Sequence, residues 1–252
     1  MTLQNRAIPD MSLLNHLLEL RRRLLRSILV VAVVFLALSL RANPLYHFIA
    51  TPLLAVLPQG TQMIATAVAA PFMVPLKLAF FVSILAVLPY LLWQLWAFVA
   101  PALYRHERRL LWPLLFGSIF LFYSGAGFAY AVVLPLTFQF MVGTLPTGVM
   151  MATDISSYLD FIITMFLSFG AAFQLPLLQA MLCRSGVLSV QNFRDKRPHF
   201  IVLAFVIGML LSPPDVLSQV LLAVPLCLLY EAGILLAGWW QPKSNILINN
   251  SL

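Results

Sequence analysis

The chain has 252 residues, of which 62% are hydrophobic and only 9% charged. Soluble domains run at about 45–50% apolar and about 25% charged, and disordered chains are rich in charge and poor in hydrophobes, so both classes are excluded. The net charge of +7 resembles that of a nucleic-acid binder, but membrane proteins mass Lys and Arg on their inner segments for reasons of insertion alone, and no nucleic-acid partner is expected.

In chain order, Leu13 to Leu25 reads as an amphipathic helix, with Ser12 as its N-cap and leucines at 13, 14, 17, 18, 20, 24 and 25. It carries Glu19, followed at once by Arg21, Arg22 and Arg23. A spanning helix needs about 20 mainly apolar residues. The charge-free intervals give six, over roughly 24–41, 76–99, 111–135, 158–183, 198–212 and 217–238. Ser212-Pro213-Pro214-Asp215 separates the last two, because consecutive prolines remove backbone donors and force a turn. The fifth reaches only about 22 Å against a hydrocarbon core of about 30 Å, and short fifth and sixth spans are expected to thin the bilayer locally.

A first outer loop, Asn43 to Pro75, contains an apolar stretch (Tyr46, Phe48, Ile49, Leu53, Leu54, Val56) broken by Pro52 and Pro58, which suits a short interfacial helix. A second, near Gly143 to Ser157, has no basic residue. Pro89, Pro135, Pro176 and Pro225 fall within spans and predict kinks that bend the bundle into a concave form. The expected fold is all-α: a single integral membrane domain of six helices, 1–252, shaped as a cup.

Six spans place both termini on one side. Arg6, Arg21, Arg22, Arg23, Arg26, Arg105, Arg108, Arg109, Arg184, Arg194, Lys196, Arg197 and Lys243 fall on one set of segments and leave Arg41 and Lys77 on the other, so both termini are expected to be cytoplasmic. No A-x-A-like cleavage site follows the first span, which is read as a retained helix, and the compact chain without a transit-like start favours a bacterial inner membrane.

Two carboxylates fall on the inner face. Glu19 admits two readings: an i,i+4 ion pair with Arg23, worth about 0.3–0.5 kcal/mol, or a carboxylate presented to an incoming cation. Glu107 follows His106, but the zinc-protease motif needs a second His at position 110, where the chain has Leu110. Nucleophile-elbow and phosphate-loop motifs are absent too, so neither an enzyme nor a cofactor is expected. Cys183 and Cys227 lie far apart in apolar runs and read as inert buried thiols, with no metal cluster. Phe98 either packs at a helix end or binds a ligand. Glu231, Gln174, Gln179 and Gln219 are read as the costly polar groups inside the membrane, where such residues usually face a bundle interior or a wet cavity. Glu231 is either protonated or paired. Asp215 suits the cap of the sixth span.

Leu17-Leu18-Glu19-Leu20-Arg21 before the first span, Phe98-x-x-Pro101-x-Leu103-x-x-x-Glu107-Arg108 after the second, and Ser212-Pro213-Pro214-Asp215-x-x-x-Gln219 between the fifth and sixth resemble the TatC family, the multi-spanning subunit of the twin-arginine protein translocase. The likeness runs from about Leu13 to about Gly238. It implies a receptor for the signal peptides of folded cargo, driven by the proton-motive force, with single-span TatA and TatB type subunits, membrane lipids and further copies of itself as partners. The carboxylates matching Glu19 and Glu107 would contact the paired arginines, Phe98 would help bind the adjoining consensus, and Arg21, Pro101 and Leu103 would belong to the same motifs. Gln174 departs from the family, which commonly has a glutamate there, and an amide cannot exchange a proton. Outside this resemblance, six spans with Glu231 inside also suit a proton-coupled carrier of a small solute, although no internal repeat supports it.

Overall fold

The computed structural model describes residues 9–40, 63–103, 111–144, 152–211 and 216–240. Glu107, Asp215, the Ser212–Pro214 turn and the stretch Asn43–Val56 lie outside them. The described residues form helices α1 (Pro9–Ser39), α2 (Ala70–Leu103), α3 (Leu111–Phe128), which passes through a π-turn (Ala129–Val133) into α4 (Leu134–Gly143), then α5 (Ile155–Ala172), α6 (Leu175–Arg184), the short α7 (Val190–Asp195), α8 (Arg197–Leu211) and α9 (Val216–Trp240). Counted as membrane-crossing units, α1, α2, α3–α4, α5–α6, α8 and α9 are the six spans.

Several boundaries differ from the sequence reading. The amphipathic segment and the first span are one helix that starts at Pro9, a residue tolerated in a first turn, so Ser12 lies inside it and is not its N-cap. The third unit runs on to Gly143. Of the two spans taken as short, only α8 is: its 15 residues reach about 22 Å, whereas the 25 residues of α9 reach about 37 Å. Ala70–Phe98, Trp112–Gly143, Ile155–Arg184 and Leu222–Trp239 are long and apolar enough to cross a bilayer. The first helix does not read this way because Arg21, Arg22, Arg23 and Arg26 sit within it.

The prolines act through the carbonyls they orphan. Pro89 has no N–H for the Leu85 carbonyl, and the Tyr123 hydroxyl of α3 donates to that carbonyl at 2.6 Å, so the defect becomes a link between α2 and α3. Ahead of Pro135 the helix loosens into the π-turn. Pro176 accompanies a true break at Phe173–Gln174, while α9 continues through Pro225.

The helices stand in a row from α1, through a mutually packed trio of α2, α3 and α5, to α6, α9 and α8. α1 packs on α2, α2 on α3 and α5, α3 on α5, α6 on α9, and α9 on α8. No extensive contact joins α1 to α8 or α9 among the described residues, so the row stays open. Its main core, between α2, α4 and α5, contains Leu78, Phe81, Leu134, Leu159, Ile162, Met165 and Phe169. A second cluster is built from small side chains, Ala172, Ala204 and Ala223, which let helices approach without a hydrophobic drive between them. Gly208 is obligatory there, since a Cβ would lie 2.9 Å from the Gln219 carbonyl of α9. Outward, Leu29, Leu36, Phe120 and Leu228 are more than 60% exposed, a lipid-facing surface that water would not tolerate.

The segments leading into α2 and α5 are clamped together by Asp154. It caps α5, accepting from the Ser156 and Ser157 amides, and also accepts from the amide and hydroxyl of Thr66, while Ile64 and Asp154 form an isolated bridge. The Thr66 amide, then that of Ser157, hold the carboxyl at about 2. A carboxylate depressed in this way stabilises the clamp fully above the ordinary aspartate range, and the contribution is lost as pH falls through about 2. Hydrogen exchange, corrected for intrinsic rate, is expected to show the Thr66 and Ser157 amides protected at neutral pH, progressively less so from about pH 4 to pH 2, and unprotected at any pH in Asp154→Ala.

Candidate functional site

α1 and α2 run antiparallel, held at one end by the edge-on contact of Phe35 with Phe80 (ring centres 5.6 Å apart) and at the other by Arg23 and Gln94. Between them, at the arginine-bearing end, lies a groove of about 560 Å³ lined by Leu18, Glu19, Arg22, Arg23, Arg26, Trp93, Gln94 and Ala97. Its polar side chains form a chain of donors. Arg23 donates from Nε (2.9 Å) and Nη2 (2.7 Å) to Oε1 of Glu19, and from Nη1 to Oε1 of Gln94 at 2.9 Å. The Gln94 amide in turn donates to the Tyr90 hydroxyl at 2.7 Å.

The i,i+4 pair anticipated for Glu19 therefore forms, and it opens onto a cavity: the side chains of Arg23 and Glu19 are 25% and 45% exposed. Because the helices are antiparallel, four residues back along α1 from Arg23 correspond to four residues forward along α2 from Gln94. Glu19 thus stands level with Phe98, which is partly buried. Pro101 and Leu103 occupy the last turn of α2, just beyond, and Arg21 is exposed on α1. Trp93 and Ala97 also line an adjoining apolar pocket of about 110 Å³ completed by Trp96, Trp112 and Leu115. Trp96 is fixed by an Nε1 hydrogen bond to the Ser118 hydroxyl at 2.8 Å. Sequence reasoning did not reach this aromatic pocket; tryptophans at 93, 96 and 112, on either side of the stretch between α2 and α3, were the available signal.

Elsewhere, polar side chains join neighbouring helices. Gln174 stands at the break between α5 and α6 and donates to the Ser118 carbonyl at 2.9 Å, stitching that break to α3. Gln219 donates to the Phe205 carbonyl. Glu231 is paired: Nη2 of Arg197, the first residue of α8, lies 2.6 Å from Oε2. Lys77 and Asp160 form an ion pair between α2 and α5. Gln179 is buried against Gly233 with no partner for its amide among the described residues. No group of three or more metal-ligating side chains occurs among the described residues.

Fold and groove together define a class: a polytopic helical membrane protein whose arginine-bearing end presents a carboxylate already engaged with a guanidinium beside an aromatic pocket. The match to a family model narrows this. Residues 15–225 match the Sec-independent protein translocase protein (TatC) family, and the chain belongs to it. It is 54% identical over 233 residues to the Sec-independent protein translocase protein TatC of Haemophilus influenzae, covering 92% of this chain and 91% of that one. It is 51% identical to the TatC of Escherichia coli K12, covering 92% and 90%. A crystal structure of the twin-arginine translocase receptor TatC superposes with a TM-score of 0.80 at 37% identity, over 89% of this chain and 99% of that chain. The carrier reading finds no support in these likenesses.

Gln174→Leu removes the donor that joins the break to α3 at nearly constant volume. It is expected to lower stability by about 0.5–1.5 kcal/mol, the usual worth of one such bond, read as a lower thermal midpoint in detergent.

Proposed function

We propose that this chain is the signal-peptide receptor and core subunit of a Sec-independent translocase that exports folded proteins across a bacterial inner membrane, with both termini cytoplasmic. The observation that carries this reading is the Glu19 carboxylate in the groove between α1 and α2: it already accepts two N–H bonds from a guanidinium, and it stands level with Phe98. Guanidinium is a planar fork that matches a carboxylate in two bonds, which an ammonium cannot do. Glu19 takes one leader arginine and Glu107, beyond the end of α2, the other. The pocket of Trp93, Trp96, Ala97, Trp112 and Leu115 receives an apolar side chain of the adjoining consensus. Arg22 and Arg26 keep the groove basic, so cationic segments lacking a well-placed pair are repelled.

The subunit performs no covalent chemistry in this reading. It receives the leader, admits it as a hairpin to the open side of the row, and assembles with single-span TatA and TatB type subunits and with further copies of itself. Proton-motive force supplies the work. With an amide at Gln174 bonded to a backbone carbonyl, that position holds no titratable group, and its part is to keep the α5–α6 break hydrated and fixed. The short α8 thins the bilayer where cargo passes.

Photocrosslinkers placed at position 98 or 107 are expected to capture an Arg-Arg signal peptide and to lose it when the pair is Lys-Lys. Glu107→Lys is expected to abolish capture while the protein still inserts; undiminished capture would defeat the assignment. Lengthening α8 by several leucines is expected to reduce export while leaving signal-peptide binding intact, and full export by that variant would remove the case for thinning.

A further inference from the structure

The carboxylate assigned to a leader arginine is not vacant. Arg23 places Nε and Nη2 on the same oxygen of Glu19, and its remaining nitrogen, Nη1, is held by Gln94. Gln94 is 6% exposed and is itself oriented by its bond to Tyr90. The guanidinium is therefore fixed at all three nitrogens in a geometry that copies what the site would offer a ligand. Oε2 of Glu19 has no hydrogen-bond partner among the described residues, but an arriving guanidinium using it alone would make one bond instead of two and lie against the charge of Arg23.

We infer that Arg23 is a built-in competitor for the leader-binding carboxylate, held in place by Gln94 and Tyr90, and that it sets the affinity threshold a signal peptide must exceed. This rests on the receptor reading of Glu19 and adds its regulation. The exchange is guanidinium for guanidinium. Competition of this kind lowers the apparent affinity of every ligand by the same factor, the fraction of protein in which the carboxylate is free. It leaves the ratio between an Arg-Arg and a Lys-Lys leader unchanged while pushing the weaker one below the working concentration. Selectivity in practice is then a threshold laid over the intrinsic preference of carboxylate for guanidinium.

The test is the binding of a fluorescent leader peptide to the full-length protein in detergent micelles at high ionic strength, where diffuse charge is screened. Arg23→Gln frees Glu19 and is expected to tighten the Arg-Arg and Lys-Lys peptides alike, by about three- to tenfold, the range of a partly exposed, charge-assisted pair. Gln94→Leu changes no charge and loosens the hold on Arg23, so a gain of about two- to threefold is expected. Arg22→Gln removes the same charge from the same groove without touching the pair and is expected to change affinity by less than about twofold under screening. An unchanged or weakened affinity in Arg23→Gln would overturn the inference, as would an equal gain in Arg22→Gln, which would reduce the effect to bulk charge. A gain confined to one of the two peptides would overturn the threshold mechanism. Glu19→Gln separates this from the reading beneath it: if that variant leaves Arg-Arg binding intact, the receptor assignment of Glu19 falls, whereas loss there without gain in Arg23→Gln removes the competitor alone.

Discussion

One guanidinium shared between Glu19 and Gln94 ties α1 to α2 at the arginine-bearing end, and the layout of the site follows from it. α1 packs mainly on α2 and makes no extensive contact with another helix among the described residues. Phe35 on Phe80 fixes one end and Arg23 on Gln94 the other. With those in place, Glu19 falls level with Phe98, and the groove opens beside the pocket of Trp93, Trp96 and Trp112. A carboxylate on a helix with four arginines would otherwise be lost in their field. Pairing it with one of them orients it at the groove that both side chains line.

The rest of the bundle handles charge differently from a pump. Its ion pairs, Arg197 with Glu231 and Lys77 with Asp160, join neighbouring helices and are half-exposed, so each is worth little on its own. The interior relies on amides and carbonyls: Gln174 to Ser118, Gln219 to Phe205, and the Tyr123 hydroxyl to the carbonyl orphaned by Pro89. In lipid every freed backbone group needs an internal partner, and here the Tyr123 hydroxyl of the next helix supplies one for the Leu85 carbonyl. Such links hold the helices in shape without closing the row.

Much of this was legible in the sequence because the bilayer imposes a length scale. Charge-free runs located all six crossing units, and the Leu-Leu-Glu-Leu-Arg segment with its leucine spacing marked the helix that carries Glu19. The continuity of α1 from Pro9 to Ser39 was not legible, because Arg21 to Arg26 interrupt the apolar run although Lys and Arg side chains can snorkel without breaking a helix. The clamp at Asp154 was missed because it joins Thr66 to a helix cap 88 residues away, and a pairing so distant leaves no local pattern. For Glu19 the sequence posed two readings as rivals, an ion pair with Arg23 or a carboxylate offered to a cation. The geometry makes them compatible, since the pair lies in the groove where a cation would arrive. The aromatic pocket escaped because tryptophans at the ends of spans look like interfacial anchors until α2 and α3 are seen to bring them together.

The central claim is that Glu19 itself receives a guanidinium of the leader. A double-mutant cycle tests it most directly, with Glu19→Gln in the receptor and each leader arginine replaced in turn by lysine, affinities being measured for all combinations. The account predicts that one arginine is coupled to Glu19 by about 1 kcal/mol or more, its replacement costing far less once the carboxylate is gone. Strictly additive losses at both arginines would contradict it.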